Sequence, residues 1–288
     1  MEIDFLNHPE TSRIIREALE EDIKTGDVTT LSTVPTGKQA KARCLIKEDG
    51  ILAGVALAER IFKVVDADLR FEGHLQDGQS VKYGDIAFHV HGDPRSILQA
   101  ERLVLNLMQR MSGIATMTRG VMDRLEGTAC RVLDTRKTTP LIRHMEKWAV
   151  HIGGGTNHRF GLYDMVMIKD NHIDYAGGIP AAMQACKAYL AEHQLDVKIE
   201  VETRNLEEVQ IVLDEGGAHR IMLDNMSLED MRAAVNLIGD RAESEASGGI
   251  TPDRVREVAE TGVDFISMGA LTHSVKSLDI SLKAEMLG

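Results

Sequence analysis

The chain has 288 residues, 43% hydrophobic and 27% charged, with a formal net charge of -12. That is an ordinary globular composition, and its acidic balance argues against a nucleic-acid surface, which needs broad basic coverage. Three scattered cysteines (Cys44, Cys130, Cys186) with no Cys-x-x-Cys pair exclude a disulfide framework or thiolate zinc site and suit a reducing cytoplasm. No apolar run approaches the roughly 20 residues of a membrane span. Glu2 and Asp4 stand where a secretion signal would be basic, so neither a signal nor a membrane partner is expected.

In chain order, Ile14, Ile15, Ala18 and Leu19 share one face and predict a helix over residues 11–21, followed by a polar turn at 21–29. Residues 38–90 read as short strands and turns. Asp49-Gly50 and Asp77-Gly78 are hairpin-type dipeptides, Tyr83-Gly84-Asp85 adds a turn, and a helix is expected at 53–64. Asp93-Pro94 opens a helix carrying Ile97, Leu98, Leu105, Met108 and Met111, which Gly113 is expected to interrupt. A domain boundary is placed there. It gives residues 1–112 as a first domain and 113–272 as a second, with 273–288 packing back on the first. Arg102, within that helix, reads on its own as a surface or salt-bridge arginine.

Beyond residue 130 apolar strands alternate with helices. Residues 131–133 form a short apolar run ending in Asp134. Thr139-Pro140 predicts a helix start, with Leu141, Met145, Trp148 and Ile152 as its buried face and Gly153-Gly154-Gly155 as its end. Further strands are expected at 165–168, 197–202, 221–224, 242–247 and 263–268. Helices are expected from Pro180, Asn205, Ser227 and Thr251-Pro252. The spacing is that of βαβ units, hence a parallel sheet. Six strands, and no Gly-x-Gly-x-x-Gly at a strand-to-helix turn, favour an incomplete TIM-like barrel over a Rossmann sheet.

Between residues 134 and 172, Arg136, Lys137, Arg143, Lys147, Arg159 and Lys169 outnumber Asp134, Glu146, Asp164 and Asp170, and four of the eleven histidines join them. A solvated basic face would give the same count. However, Arg136, Lys137 and Lys169 lie just past the C-terminal ends of strands, where parallel α/β proteins bind ligands, so an anion site is expected. Glu202 and Asp224 end successive strands, and two carboxylates at one rim suit Mg²⁺ held partly through water and phosphate. Glu200 shares a face with Glu202. Glu202 is favoured as the ligand because it is nearer the exit, and the choice stays open. Ser247-Gly248-Gly249 and Gly269 end the last strands and would let backbone N–H groups approach a phosphate. No Ser-His-Asp or Cys-His nucleophile is visible. The combination points to a polyanionic substrate and to chemistry run by positioning and electrostatics.

The residues that carry a family resemblance run nearly the length of the chain. They are Glu21–Thr29 (EDIKTGDVT), Glu101-Arg102, Leu105-Asn106, 112–116 (SGIAT), 134–140 (DTRKTTP), 153–159 (GGGTNHR), 168–173 (IKDNHI), Glu200-Val201-Glu202, Leu223-Asp224-Asn225, 247–250 (SGGI) and 269–274 (GALTHS). Together the sequence resembles the quinolinate phosphoribosyltransferases. One departure is Leu141 after Pro140, where the family usually has glycine. It is expected inside a helix, with little effect.

The resemblance implies an α/β fold made of an N-terminal α/β sandwich domain and an incomplete, open TIM-like α/β barrel. It implies a cytoplasmic homodimer with shared active sites and leaves higher assembly open. The implied reaction transfers the phosphoribosyl group of 5-phosphoribosyl-1-diphosphate to the quinolinate nitrogen with decarboxylation, and Mg²⁺ is the cofactor. Arg102 of the partner subunit, Arg136, His158, Arg159 and Lys169 would hold the dicarboxylate, Thr135 would also bind substrate, and Lys137 would bridge the substrates. Glu202 and Asp224 would face the ribose hydroxyls and Mg²⁺. Ser247, Gly248, Gly249, Gly269 and Ala270 would hold the 5-phosphate. Lys137, Lys169, Glu202 and Asp224 would be the catalytic set.

Two other readings remain open. A sugar-phosphate barrel aldolase would use Lys169 as a Schiff-base nucleophile, which the crowd of neighbouring cations argues against, since one lysine suffices. A family relative that binds a polyanion without turnover would show binding and no product.

Overall fold

The computed structural model describes residues 4–285. The chain divides into two compact units: one holds residues up to Arg119, Thr138–Gly154 and the segment from Leu271 onward, the other Gly120–Lys137 and Gly155–Ala270. The division differs from the expected 1–112 and 113–272, because the first unit takes back the stretch 138–154 from the middle of the chain.

In the first unit, α1 (Pro9–Ile23) starts at proline with the His8 side chain accepting the Glu10 N–H, and α2 (Val28–Thr33) is capped by Asp27. Strands β1 (Ala40–Ile46) and β2 (Gly50–Ile51), helix α3 (Val55–Val65), and strands β3 (Arg70–Gly73), β4 (Ser80–Val81) and β5 (Ile86–Gly92) follow. One antiparallel sheet has the order β12-β1-β5-β3, where β12 (Ile280–Glu285) returns from the C-terminus; β2 and β4 pair separately. Residues 286–288 of the expected returning segment lie outside the described residues. Alternation puts Ala42, Cys44, Ile46, Phe88 and Val90 in the core. There the Phe71 and Phe88 rings meet at 4.5 Å and the Phe62 and Phe88 rings at 5.9 Å.

Helix α4 runs unbroken from Pro94 to Arg124. The interruption expected at Gly113 is absent. A Cβ there would land on the backbone carbonyl of Lys276, so the glycine serves close approach of a neighbouring segment, not a break. Helix α5 is Arg143–Ile152 and ends at Gly153 as expected. Its start was misplaced: Pro140 and Leu141 lie in a turn before it, and Leu141 has φ 69° and is 75% exposed. It is therefore neither helical nor buried. Thr139 uses its N–H and hydroxyl to bind buried Glu146 (3.0 and 2.8 Å), which Arg110 also holds at 2.8 Å.

The second unit carries β6 (Arg131–Leu133), β7 (Val166–Ile168), α6 (Asp170–Ala176), α7 (Ile179–Glu192), β8 (Ile199–Thr203), α8 (Leu206–Glu215), β9 (Arg220–Asp224), α9 (Leu228–Ile238), β10 (Glu243–Ser247), α10 (Val255–Ala259) and β11 (Phe265–Ser267). Asn205 and Ser227 cap α8 and α9 through Glu208 N–H and Asp230 N–H. Thr251 makes no side-chain cap; a 3-10 turn at Pro252–Arg254 leads into α10 instead of a helix starting there. The short helix α11 (Ala270–His273) follows β11. The sheet is wholly parallel with order β6-β11-β10-β9-β8-β7. Strands β6 and β7 are its two ends, so the barrel is open, as expected. At the β6 end, Thr156 forms an isolated parallel bridge with Leu133.

Candidate active site

Parallel register fixes which side chains share a face. Glu200 lies beside Arg220 and Arg220 beside Glu243; Glu202 lies beside Met222, Met222 beside Glu245, and Glu245 beside Phe265; Asp224 lies beside Ser247. The two-residue period brings all of these to one face of the sheet, in rungs that climb toward the strand exits. A cavity of about 330 Å³ opens on that face, lined by Thr135, Arg136, Lys137, His158, Arg159, Met167, Lys169, Met222, Glu245, Ser247 and Ser267. Of the residues expected to hold an anion, Thr135, Arg136, Lys137, His158, Arg159, Lys169 and Ser247 converge here.

Local chemistry explains the placement. Asp134, fully buried at the exit of β6, accepts Asn157 Nδ2–H at 2.6 Å and the His158 N–H at 2.9 Å. Its own N–H donates to Thr156 O. Residues 156–158 are thereby pinned beside β6, and His158 and Arg159 follow into the cavity. Lys169 is the N-cap of α6; its N–H donates to His172 Nδ1 at 2.9 Å, which accounts for the Lys-Asp-Asn-His run.

The cations crowd one another. Burial and the neighbouring Arg136 lower the Arg159 pKa below its ordinary value, which is the mark of a site arranged for negative charge. Lys169 Nζ stands 3.6 Å from Glu202. Glu202 is raised above the usual carboxylate range, first by burial and then by Asp224 and Asp170, with Lys169 opposing. An excess of carboxylate at one rim is the donor set a hard divalent cation requires, so Glu202 and Asp224 fit Mg²⁺. Glu200 and Glu202 share the inward face, as the strand period requires, but occupy different depths. Glu200 is fully buried at the floor and Glu202 lies near the rim.

His158 is placed otherwise than its sequence position suggested. Its Nε2 points to Glu200 and Glu245, at 3.0 and 3.4 Å, and its Nδ1 accepts the Arg159 N–H at 2.6 Å. Burial disfavours a charge on this ring, while the two carboxylates raise its proton affinity. The carboxylates outweigh burial, and the His158 pKa is raised to about 9.

At the phosphate-type loop, Gly248 has φ 92° and a Cβ would strike the Asn225 side chain, so only glycine fits. Gly249 also has positive φ, at 57°, and Ala270 begins α11 directly after Gly269. Arg102 lies exposed on α4 in the first unit. Sequence reading missed Glu245, Arg220, Met167, Met222 and Ser267 as part of this face. The signal available was the two-residue period of carboxylates in Glu243-Ser244-Glu245 ahead of Ser247.

A barrel whose strand exits gather guanidinium and ammonium groups above paired carboxylates defines a protein that takes a polyanionic small molecule. Residues 27–112 match the N-terminal domain and residues 114–283 the C-terminal domain of quinolinate phosphoribosyl transferase, and the chain belongs to that family. It is 50% identical over 295 residues to the chloroplastic nicotinate-nucleotide pyrophosphorylase [carboxylating] of Oryza sativa subsp. japonica, covering 96% of this chain and 79% of that one. It is 42% identical to the probable nicotinate-nucleotide pyrophosphorylase [carboxylating] of Bacillus subtilis (strain 168), covering 96% and 94%. Among solved structures it is similar to NadC from Streptococcus pyogenes, with TM-score 0.91, 38% identity and 97% and 98% coverage. It is also similar to the nicotinate-nucleotide pyrophosphorylase from Francisella tularensis, with TM-score 0.90, 37% identity and 99% and 100% coverage.

Proposed function

We propose that the chain transfers the phosphoribosyl group of 5-phosphoribosyl-1-diphosphate to the nitrogen of quinolinate and releases pyrophosphate and carbon dioxide, giving nicotinate mononucleotide for NAD biosynthesis. Family membership along residues 27–283 supports the reaction. The observation that carries the site is the convergence of Arg136, Lys137, Arg159 and Lys169 on the wall of one cavity. Four cations lining one cavity favour an anionic occupant, and a dicarboxylate supplies two charges.

In this reading Arg136, Arg159 and Lys169 hold the two quinolinate carboxylates and set the ring nitrogen toward the ribose carbon. Lys137 reaches both substrates. Ser247, Gly248, Gly249, Gly269 and Ala270 receive the 5-phosphate, and Glu202 and Asp224 hold the ribose hydroxyls and Mg²⁺. When bound, Mg²⁺ offsets charge on the departing pyrophosphate. As the bond to pyrophosphate breaks, the ribose carbon becomes oxocarbenium-like and the pyridine nitrogen closes on it. The quaternary nitrogen then stabilises the ring carbanion left when the adjacent carboxylate departs as carbon dioxide, and a proton replaces it. The chain aligns a poor nucleophile and neutralises two polyanions. Arg102 reaches the site from the other copy in a cytoplasmic homodimer, completing a shared active site. Product analysis by mass spectrometry, with quinolinate and nicotinate in parallel and with Mg²⁺ present or chelated, tests this. Nicotinate mononucleotide from quinolinate alone, only with Mg²⁺, is expected; product from nicotinate, or none from either, contradicts it.

A further inference from the structure

The cavity floor holds a buried chain of charged groups that substrate binding does not call for. Arg220 Nη1 donates to Glu245 Oε2 at 2.9 Å, and its Nη2 and Nε donate to Glu243 Oε2 at 3.0 and 3.3 Å. Its guanidinium lies 4.1 Å from the centre of the Phe265 ring, so it is fixed on two sides. Glu245 is fully buried, and the same Oε2 faces His158 Nε2 at 3.4 Å. His158 in turn takes the Arg159 N–H on Nδ1 at 2.6 Å. Arg159 Nη1 donates to Met165 O at 3.2 Å.

A carboxylate lining a pocket built for a dianion is a repulsive element unless it serves something else. Isolated, its charge would be expensive to bury. Here Arg220 offsets it, and the oxygen that Arg220 holds is the one aimed at the imidazole. The result is a rigid line from β9 through β10 to the segment after β6, ending at the backbone of an arginine that lines the cavity. From this line we propose that Glu245, clamped by Arg220, is a positioning residue: it orients the His158 ring and thereby sets the backbone, and so the reach, of Arg159 toward the substrate dicarboxylate.

This inference rests on the dicarboxylate reading of the cavity. It assigns Glu245 and Arg220 to quinolinate affinity and leaves the phosphoribosyl donor to other residues. The same three groups, His158, Glu200 and Glu245, lie close enough together to ligate a metal ion. Charge argues against that occupant, because Glu245 is already paired with Arg220 at 2.9 Å and a second cation at its Oε2 would face that guanidinium.

The test is steady-state kinetics of Glu245→Gln, which removes the charge at constant size, together with Glu245→Asp and Arg220→Lys. Glu245→Gln is expected to raise the quinolinate KM at least tenfold while the KM for 5-phosphoribosyl-1-diphosphate stays within about twofold and the melting temperature holds. Glu245→Asp should recover part of the loss. If Glu245→Gln does not fold, Arg220→Lys decides by the same split, since lysine keeps the charge but cannot bridge two carboxylates. Equal rises in both KM values, or no rise, overturn the relay. So does a stoichiometric metal ion in purified wild-type protein that Glu245→Gln lacks. Wild-type protein inactive on quinolinate would instead remove the functional reading itself, so the two failures are separable.

Discussion

Arg136 and Leu141, five residues apart, mark the extremes of what single positions reveal. Arg136 was visible from its place past a strand exit, and the structure puts it on the cavity wall beside Arg159. Arg136→Ala is expected to lower kcat/KM for quinolinate by about 3 kcal/mol or more, roughly a hundredfold or beyond, because the partner carboxylate is left desolvated and unpaired; near wild-type kinetics would sink the assignment. Leu141 misled, since its apolar side chain fits a helical stripe while its backbone has φ 69° and its side chain is in water. A left-handed backbone costs a leucine about 1–2 kcal/mol, and glycine returns part of that as unfolded-state entropy. Leu141→Gly should therefore stabilise the protein by up to about 1 kcal/mol in denaturant titration. A loss of stability would mean that the turn depends on the side chain. His158 lines the cavity, but its orientation was not legible. Nothing in a sequence tells that Glu200 and Glu245, 42 and 87 positions later, meet its Nε2.

Most elements with local signals were legible, although Thr139-Pro140 and Thr251-Pro252 did not start the helices they announce. The caps Asn205 and Ser227, the proline starts at 94 and 180, and all six parallel strands lie where the sequence places them. Gly113 failed because its reason is tertiary: the carbonyl of Lys276 passes against it. In an exposed helix Gly→Ala stabilises by about 1 kcal/mol; here the sign reverses. Gly113→Ala should destabilise by about 1–3 kcal/mol through overpacking against rigid backbone, measured by thermal or urea unfolding. Stabilisation would show that the approach is loose. The division between the units was hidden for the same kind of reason. The stretch 138–154 has no compositional break, and it joins the first unit through long-range contacts such as Arg110 with Glu146 and His144 with the carbonyl of Phe5 (3.1 Å).

At the scale of the whole molecule, the acidic chain brings Arg136, Lys137, Arg159 and Lys169 to one cavity, and stability as well as function follows from where titratable groups are placed. His144 is buried, and burial, with the nearby His8, lowers its pKa below 6.5 despite the Phe5 carbonyl and Glu10. The folded state thus prefers the neutral ring. Its contribution is fully present above about pH 6.5 and lost as pH falls through the lowered folded value. The melting temperature should drop between pH 7.5 and 5, and His144→Gln, which keeps a donor for Phe5 O without titrating, should flatten the drop; an equal drop in the variant would assign it to other groups. No helix among the described residues is long and apolar enough to cross a membrane.

The central claim is that one cavity couples phosphoribosyl transfer to loss of the quinolinate 2-carboxylate. Quinolinate labelled with ¹³C at that carboxylate, incubated with 5-phosphoribosyl-1-diphosphate and Mg²⁺, tests it most directly by following labelled carbon dioxide, pyrophosphate and nicotinate mononucleotide together. The account predicts equal amounts of all three at every time point. Pyrophosphate without labelled carbon dioxide, or tight quinolinate binding with no turnover, would contradict it.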